Sequence, residues 1–268
     1  MNVLVTNDDG VDSPGLHALA RALVDDGHEV IVVAPAQDTS GAGASLGVLH
    51  ADGHIDTERV ELPGLPGVPA YAVDGPPGRC VITALRGAFG PRPDLVVSGI
   101  NPGANTGRAI LHSGTVGGAL TAANFGMRGL AVSIDAHSSQ VDAADILWDT
   151  AAEAAVAAVG WLAGTAAGTV VNVNVPNLPP ERVLGAREAT LAGFGTVQAA
   201  VAEPAPDGGR IQMAFTPAAA ESLPPDSDTA LVKAGYVAVS AITGIRLDPD
   251  VDVRGVLEAV DPEARRSA

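Results

Sequence analysis

Met1-Asn2-Val3-Leu4-Val5-Thr6-Asn7-Asp8-Asp9-Gly10-Val11-Asp12-Ser13-Pro14-Gly15 opens the chain, and its reading decides the fold. The apolar run Val3 to Val5 reads as a short buried strand that ends in an amide, two adjacent carboxylates and a glycine. Ser13 then offers a helix N-cap, Pro14 suits the first helical position, and Leu16, Leu19 and Leu23 mark one helical face. Strand, acidic turn and helix together make the first half of a βαβ unit. Ligands of open parallel sheets sit at the carboxyl ends of the strands, which is where Asp8 and Asp9 fall. Neighbouring carboxylates repel unless a cation, a shared proton or water intervenes. A divalent cation such as Mg²⁺ takes oxygen ligands of this kind, and a plain acidic turn uses the same residue types.

The chain has 268 residues, enough for one large α/β domain or a domain with an appended lobe. Its apolar fraction of 47% supports a core, and with only 3% aromatics that core must be built from Ala, Val and Leu. A formal charge of −16 disfavours nucleic-acid polymers and membrane surfaces, while a small phosphorylated substrate remains compatible if a bound cation reverses the local field. Lys233 is the only lysine and follows no glycine-rich loop, which removes a Walker-type phosphate loop. Cys80 stands alone, which excludes an internal disulfide and a multi-cysteine zinc site and reads as a core residue. No apolar run is long enough to span a bilayer, so the expected location is cytoplasmic.

Along the chain, Gly27 stops the first helix and His28 to Ala34 form a second strand closed by Pro35, the pattern of a parallel doubly wound sheet. The loop Asp38 to Gly47 loosely resembles a dinucleotide fingerprint, but it does not open into a helix. Residues 52–73 read as an irregular hairpin, and Pro76 to Phe89 as a helix with Val81, Leu85 and Ala88 on one face. Asp94 to Gly99 read as a buried strand followed by the polar loop Ile100 to Gly107. A helix starts at His112-Ser113-Gly114-Thr115-Val116, where free N–H groups and two hydroxyls suit an anion or simple capping. Gly129 to Ile134 form another strand. Val141 to Ala163 form the longest helix, with Ile146, Leu147, Ala154, Ala158 and Trp161 inward and both Trp148 and Trp161 packing. Thr169 to Val175 read as the last clear strand of the sheet. The Pro- and Gly-rich stretch 177–226, with a strand at Arg210 to Phe215, reads as an extended lobe. Asp228 to Ala234 suit a short helix, Tyr236 to Ile242 a strand, and the acidic tail from Asp248 a terminal helix. The division is thus a site-bearing core, residues 1–176, and a C-terminal lobe or arm, residues 177–268.

Asn7-Asp8-Asp9-Gly10, Thr39-Ser40-Gly41, Ser98-Gly99-Ile100-Asn101, Gly103-Ala104-Asn105 and Ser113-Gly114-Thr115-Val116 occur in this order, followed by Asn172-Val173-Asn174-Val175-Pro176, Asp228-Thr229-Ala230 and Gly235-Tyr236-Val237. This series resembles the SurE family of metal-dependent nucleotide phosphatases. The resemblance implies a Rossmann-like, mostly parallel α/β core and a C-terminal arm used in oligomerisation as a homodimer or homotetramer. It also implies hydrolysis of nucleoside 5′-monophosphates, with 3′-monophosphates as a further class, to nucleoside and phosphate. Carried over by position, it makes Asp8, Asp9, Ser40 and Asn101 the ligands of one divalent cation per subunit, Mg²⁺ or Mn²⁺. Gly41, Asn105, Ser113, Gly114 and Thr115 become phosphate contacts, Asp8 or Asp9 activates the attacking water, and His112 is a general acid or a structural residue. A broader acid phosphatase or exopolyphosphatase and an inactive nucleotide-binding regulator are the alternatives. The chain departs from the family at Gly43, Ala44 and Gly47, where relatives carry side-chain donors, and at Gly78 and Arg79, where they carry Thr and Asp. Arg79 could meet phosphate or lie on an exposed helix face.

Overall fold

The computed structural model describes residues 1–48, 53–136, 141–193, 197–203, 212–217, 223–254 and 256, with 197–203 and 212–217 described as backbone. Strand β1 (Asn2–Thr6) leads through helix α1 (Pro14–Asp25) to β2 (Glu29–Pro35), then β3 (Thr57–Val60) and β4 (Ala70–Val73). Helix α2 (Pro77–Leu85), β5 (Leu95–Pro102), α3 (Gly114–Asn124), β6 (Arg128–Asp135), α4 (Trp148–Leu162) and β7 (Val170–Pro176) continue the α/β alternation. After β8 (Ala186–Glu188), β9 (Val197–Glu203) and β10 (Gln212–Pro217), α5 (Asp228–Lys233) and β11 (Val237–Ile242) close the described fold.

The main sheet has the order β3-β4-β2-β1-β5-β6-β7-β11-β8. The six strands from β4 to β7 are mutually parallel, β3 runs antiparallel to β4, and β11 runs antiparallel to β7. The chain leaves β1 for β2 and β4 on one side, then returns to place β5 on the other. That reversal makes the carboxyl ends of β1 and β5 the topological switch point, the ordinary ligand position of such sheets. Helices cover both faces. Leu16, Leu19 and Leu23 of α1 pack with Ala151, Ala155 and Val159 of α4 on Val3, Val5 and Val97. On the other face, Cys80, Val81 and Ala84 of α2 meet Leu4, Val33 and Val96, and Val116 and Ala119 of α3 meet Ala131. The core is built from Val, Ala and Leu as the composition requires, and burial pushes the Cys80 thiol up to about 12.

Several expectations need correction. Helix α4 starts at Trp148, after a short turn at Ala143–Asp145, and buries Ala151, Ala152, Ala155, Val159 and Leu162. Leu147 and Trp161 are exposed, and Ala154 and Ala158 only flank the core. An alanine-rich helix offers little contrast between its faces, so its few large side chains mislead about which one is inward. Ala88 lies beyond the end of α2 and is exposed. Strand β7 is not the edge of the sheet, because β11 pairs with it and β8 pairs with β11. The strand expected from Arg210 appears as β10, antiparallel to β9 in a separate two-stranded sheet, with 210 and 211 outside the described residues. The terminal helix expected from Asp248 starts later: residues 248–253 are turn and irregular, residues 254 and 256 are helical, and the remainder of the tail lies outside the described residues.

Candidate functional site

Three loops converge at the switch point. Beyond β1, the buried Asn7 donates its amide to the Gly10 carbonyl at 2.9 Å, closing the turn that presents Asp8 and Asp9. Beyond β2, the Thr39 N–H donates to the Asp8 carbonyl at 2.8 Å and the Val11 N–H to the Pro35 carbonyl at 2.8 Å, so the second loop lies against the first. Helix α3 enters from the third side. Thr115 Oγ1 donates to Asp8 Oδ1 at 2.6 Å, joined by the Thr115 backbone N–H, so the start of α3 is aimed at this carboxylate. The approach requires Gly114, because a Cβ there would stand 2.6 Å from the Asp8 Cβ and 2.7 Å from Oδ2. At Gly117 an added Cβ would stand 2.2 Å from the Gly43 carbonyl oxygen.

The carboxylates are under electrostatic load. Burial raises the Asp8 carboxyl above the usual carboxylate range against the lowering influence of its Thr115 bonds, and Asp38 raises it further. Burial also raises Asp9 to about 7, helped by the charges of Asp8 and Asp38, and Asp9 Oδ2 is buried without a hydrogen-bond partner. A carboxylate oxygen left without a partner beside other acids is a position that a proton or a cation would satisfy. Among the described residues no group of three or more His, Cys, Asp or Glu could hold a metal, so the pair would need neutral oxygens to complete a shell.

Ser40 and Asn101 offer such oxygens. Ser40 sits in the loop held against Asp8, with its hydroxyl donating to Asp38 Oδ1 at 2.6 Å and its N–H to the same oxygen at 2.8 Å. Its hydroxyl proton is thereby directed away and its lone pairs are left for another partner. At the end of β5, Asn101 donates its amide N–H to the Gly103 carbonyl at 2.6 Å, which frees its side-chain oxygen. Asn105 donates Nδ2 to Ser133 Oγ at 2.8 Å. Its backbone is gripped by two amides of β7: its N–H donates to Asn174 Oδ1 at 2.7 Å, and its carbonyl accepts from Asn172 Nδ2 and Asn174 Nδ2.

The remaining expected contacts divide. Ser113 is the N-cap of α3, its Oγ accepting from the Val116 N–H at 3.1 Å, and the Thr115 hydroxyl is committed to Asp8. Neither hydroxyl is idle. Gly41 is exposed with a φ of +84° and open space beside it. His112 is exposed, and its carbonyl accepts from the Gly43 N–H at 3.1 Å.

Arg79 does neither of the things expected of it. It is buried, donating Nε to the Leu46 carbonyl at 2.8 Å and its two Nη groups to the carbonyls of Asp74 and Val48. A Cβ on Gly78 would stand 2.7 Å from the Ser45 carbonyl oxygen. The two departures from the family pattern are therefore one packed unit: Gly78 admits the 44–48 backbone and Arg79 fastens it. Sequence reasoning also missed Asp38, and it quoted Asp228, Asn172 and Asn174 only as parts of matching motifs, without the work they do. For the last two a signal existed, since amides at alternate positions of a buried strand must find partners.

These features define a Rossmann-like α/β protein with an acidic site at its switch point, faced by a helix N-terminus. The chain belongs to the SurE family: the family model described as Survival protein SurE matches residues 3–198. The protein named 5′-nucleotidase SurE from Xanthomonas oryzae pv. oryzae (strain PXO99A) is 38% identical over 244 residues, covering 90% of this chain and 89% of the relative. Its namesake from Xanthomonas campestris pv. campestris (strain B100) is 37% identical with the same coverage. The crystal structure of the SurE protein from Aquifex aeolicus superimposes with a TM-score of 0.72 at 29% identity, covering 97% of this chain and 98% of that one.

Proposed function

We propose that the chain is a 5′-nucleotidase that hydrolyses the phosphomonoester of nucleoside 5′-monophosphates with the help of one divalent cation, Mg²⁺ or Mn²⁺. The enzyme class rests on relatives named 5′-nucleotidase SurE at 38% identity across 90% of the chain. The cation rests on one observation above others, the buried, partnerless Asp9 Oδ2 beside the buried Asp8. Asp8, Asp9, Ser40 and Asn101 supply hard oxygen donors from three loops and would hold it. When bound, such a cation neutralises phosphoryl charge and acts as a Lewis acid.

The protein's own part follows from the geometry. Thr115 fixes Asp8 through its hydroxyl and N–H. The first turn of α3, with Gly114 at its tip, turns the positive end of the helix dipole toward the phosphate. Asn105, its backbone locked by Asn172 and Asn174, offers its second amide hydrogen to a phosphoryl oxygen. Asp8 or Asp9, through a carboxylate oxygen the cation leaves free, would take a proton from the attacking water. In this reading residues 1–176 carry the chemistry and 177–268 carry assembly into a homodimer or homotetramer. Exposed Ile245, Leu247, Val251 and Val253 support assembly, as does a β9–β10 ribbon that stands as its own sheet. No helix among the described residues is long and apolar enough to cross a membrane, and a cytoplasmic location belongs to the same proposal.

Phosphate release from a panel of 5′- and 3′-monophosphates, short polyphosphate and a generic aryl phosphate, with Mn²⁺, with Mg²⁺ and after chelation, tests the reading. Cation-dependent release from 5′-monophosphates supports it. Preference for polyphosphate or the aryl ester would make the chain a broader phosphatase, and nucleotide binding without release would make it a regulator. Full turnover after exhaustive chelation would remove the cation. A monomeric mass by light scattering at micromolar concentration would remove the assembly.

A further inference from the structure

We infer that Asp228, in the C-terminal part of the chain, is a positioning residue that clamps the substrate loop Gly103 to Gly107; this rests on the reading of Asn105 as a phosphate contact. The loop's polar groups have long-range partners, and those on its C-terminal side come from α5 and the segment before it. Asp228 Oδ2 accepts the Gly107 N–H at 2.7 Å across 121 residues of sequence, and Thr229 Oγ1 bonds Thr106 Oγ1 at 2.9 Å. Asp228 Oδ1 accepts the N–H groups of Ala192 at 3.0 Å and Thr229 at 2.8 Å, while the Arg108 N–H donates to the Ala192 carbonyl at 3.2 Å. Asp228, Thr229 and Thr106 are all buried.

Helix capping does not account for this carboxylate. The N-cap of α5 is Ser227, whose Oγ accepts from the Ala230 N–H, and the bonds from Asp228 to Gly107 and Ala192 leave the helix altogether. Every group that meets the two carboxylate oxygens is a donor, so the position demands an acceptor on both atoms. Asparagine keeps the volume but turns one end into a donor, which must then face either Gly107 N–H or the Ala192 and Thr229 N–H pair. A buried carboxylate is costly to keep, and the N–H donors of its neighbour Thr229 and of the distant Gly107 and Ala192 offset that cost while fixing the relative positions of three segments. The far wall of the phosphate site is thus set by a residue outside the α/β core proper.

The test uses the full chain with Asp228→Asn and Thr229→Val. Three quantities are read: kcat and KM for 5′-monophosphate hydrolysis at saturating Mn²⁺, Mn²⁺ binding alone by electron paramagnetic resonance, and amide exchange of peptides covering 103–108. For Asp228→Asn we expect kcat/KM to fall about 10- to 100-fold, the scale of one misplaced phosphate contact. Exchange of the 103–108 amides should rise at least about tenfold. Mn²⁺ affinity should stay within about threefold, because Asp8, Asp9 and Ser40 hang on other loops, and Asn101 lies on β5 against Gly103, whose own N–H is tied to the Ile134 carbonyl at 2.8 Å. Thr229→Val should show the same pattern at about threefold. A folded Asp228→Asn protein with kcat/KM within twofold of the parent overturns the inference, as does a loss of Mn²⁺ affinity that parallels the loss of kcat/KM. Should Asp228→Asn fail to fold, unchanged kinetics and exchange in Thr229→Val overturn it. A parent that hydrolyses no monophosphate sinks the functional reading instead, and the clamp then stands or falls on the exchange of 103–108.

Discussion

The two halves of the site are built on opposite principles. At the ends of β1 and β2, Asp8 and Asp9 feel each other and Asp38 as like charges, Asp9 Oδ2 has no partner, and burial pushes both the Asp8 and the Asp9 carboxyl upward. At the ends of β5, β6 and β7, Asn101, Asn105, Ser133 and Asn174 are tied to one another or to backbone, and among these β7 amides only Asn172 Oδ1 is left over. A half with unmet demand is completed by what it binds. A half whose demand is mostly met inside the protein contributes rigidity, and it loses function by being loosened rather than by losing charge.

If that contrast holds, the largest effects belong to the acidic half. Asp8→Asn or Asp9→Asn keeps shape and removes charge, and turnover should fall at least about 10²-fold, the size of a single electrostatic contribution to catalysis. Near-normal rates in steady-state assays of either variant would move the chemistry elsewhere. Gly114→Ala comes next, at about 10²-fold, because its new Cβ would force α3 away from Asp8 by a distance on the order of 1 Å. The same variant with normal kcat would show that the helix start is not part of the site.

The acidic half should also reveal itself in stability. Folded Asp9 holds its proton up to about pH 7, whereas an unfolded aspartate releases it near 3.8. Between those limits the native state binds more protons, so in the metal-free protein raising pH costs stability, and Tm should fall from pH 5 to pH 8. A cation that binds only the folded site reverses this, so Mn²⁺ should raise Tm by several degrees at pH 8 and by little at pH 5. Differential scanning calorimetry at both pH values, with and without Mn²⁺, reads all four states. A Tm shift independent of pH would mean that the ion does not compete with these protons.

How much of this was legible in the sequence follows the same division. The acidic turn, the strand–helix alternation and the helix start at Ser113 announce themselves because charge, capping and periodicity act over a few residues. The amide half is a product of tertiary pairing. Asn105 is held from β7 and Gly107 from α5, partners that no local pattern brings together. The buried face of α4 was illegible for another reason, the weak contrast of alanine against alanine. Arg79 misled because an arginine beside a helix start looks available to phosphate until backbone carbonyls of Leu46, Val48 and Asp74 are seen to engage all three of its nitrogens.

The smallest expected effect lies between the halves, in the loop that departs from the family pattern. Adding a side-chain donor at Gly43 is a poor test, since that residue has a φ of +56° and a Cβ would stand 2.9 Å from the Leu111 carbonyl oxygen. Ala44 is exposed, and its neighbour is anchored, the Gly43 N–H donating to the His112 carbonyl directly before Ser113 and Gly114. Ala44→Asn therefore adds a donor on a fixed backbone near the start of α3 without burying it. One neutral hydrogen bond is worth about 0.5–1.5 kcal/mol, so KM for a monophosphate should drop by about two- to tenfold with kcat unchanged if the bond forms equally in ground and transition states. A rise in kcat instead would mean that the contact tightens only as charge develops on the phosphoryl group. No change in kcat/KM on any monophosphate, in a variant with the parent's Tm, would show that position 44 faces away from the phosphate. The loop would then serve the site only as the packed layer that Gly78 and Arg79 hold in place.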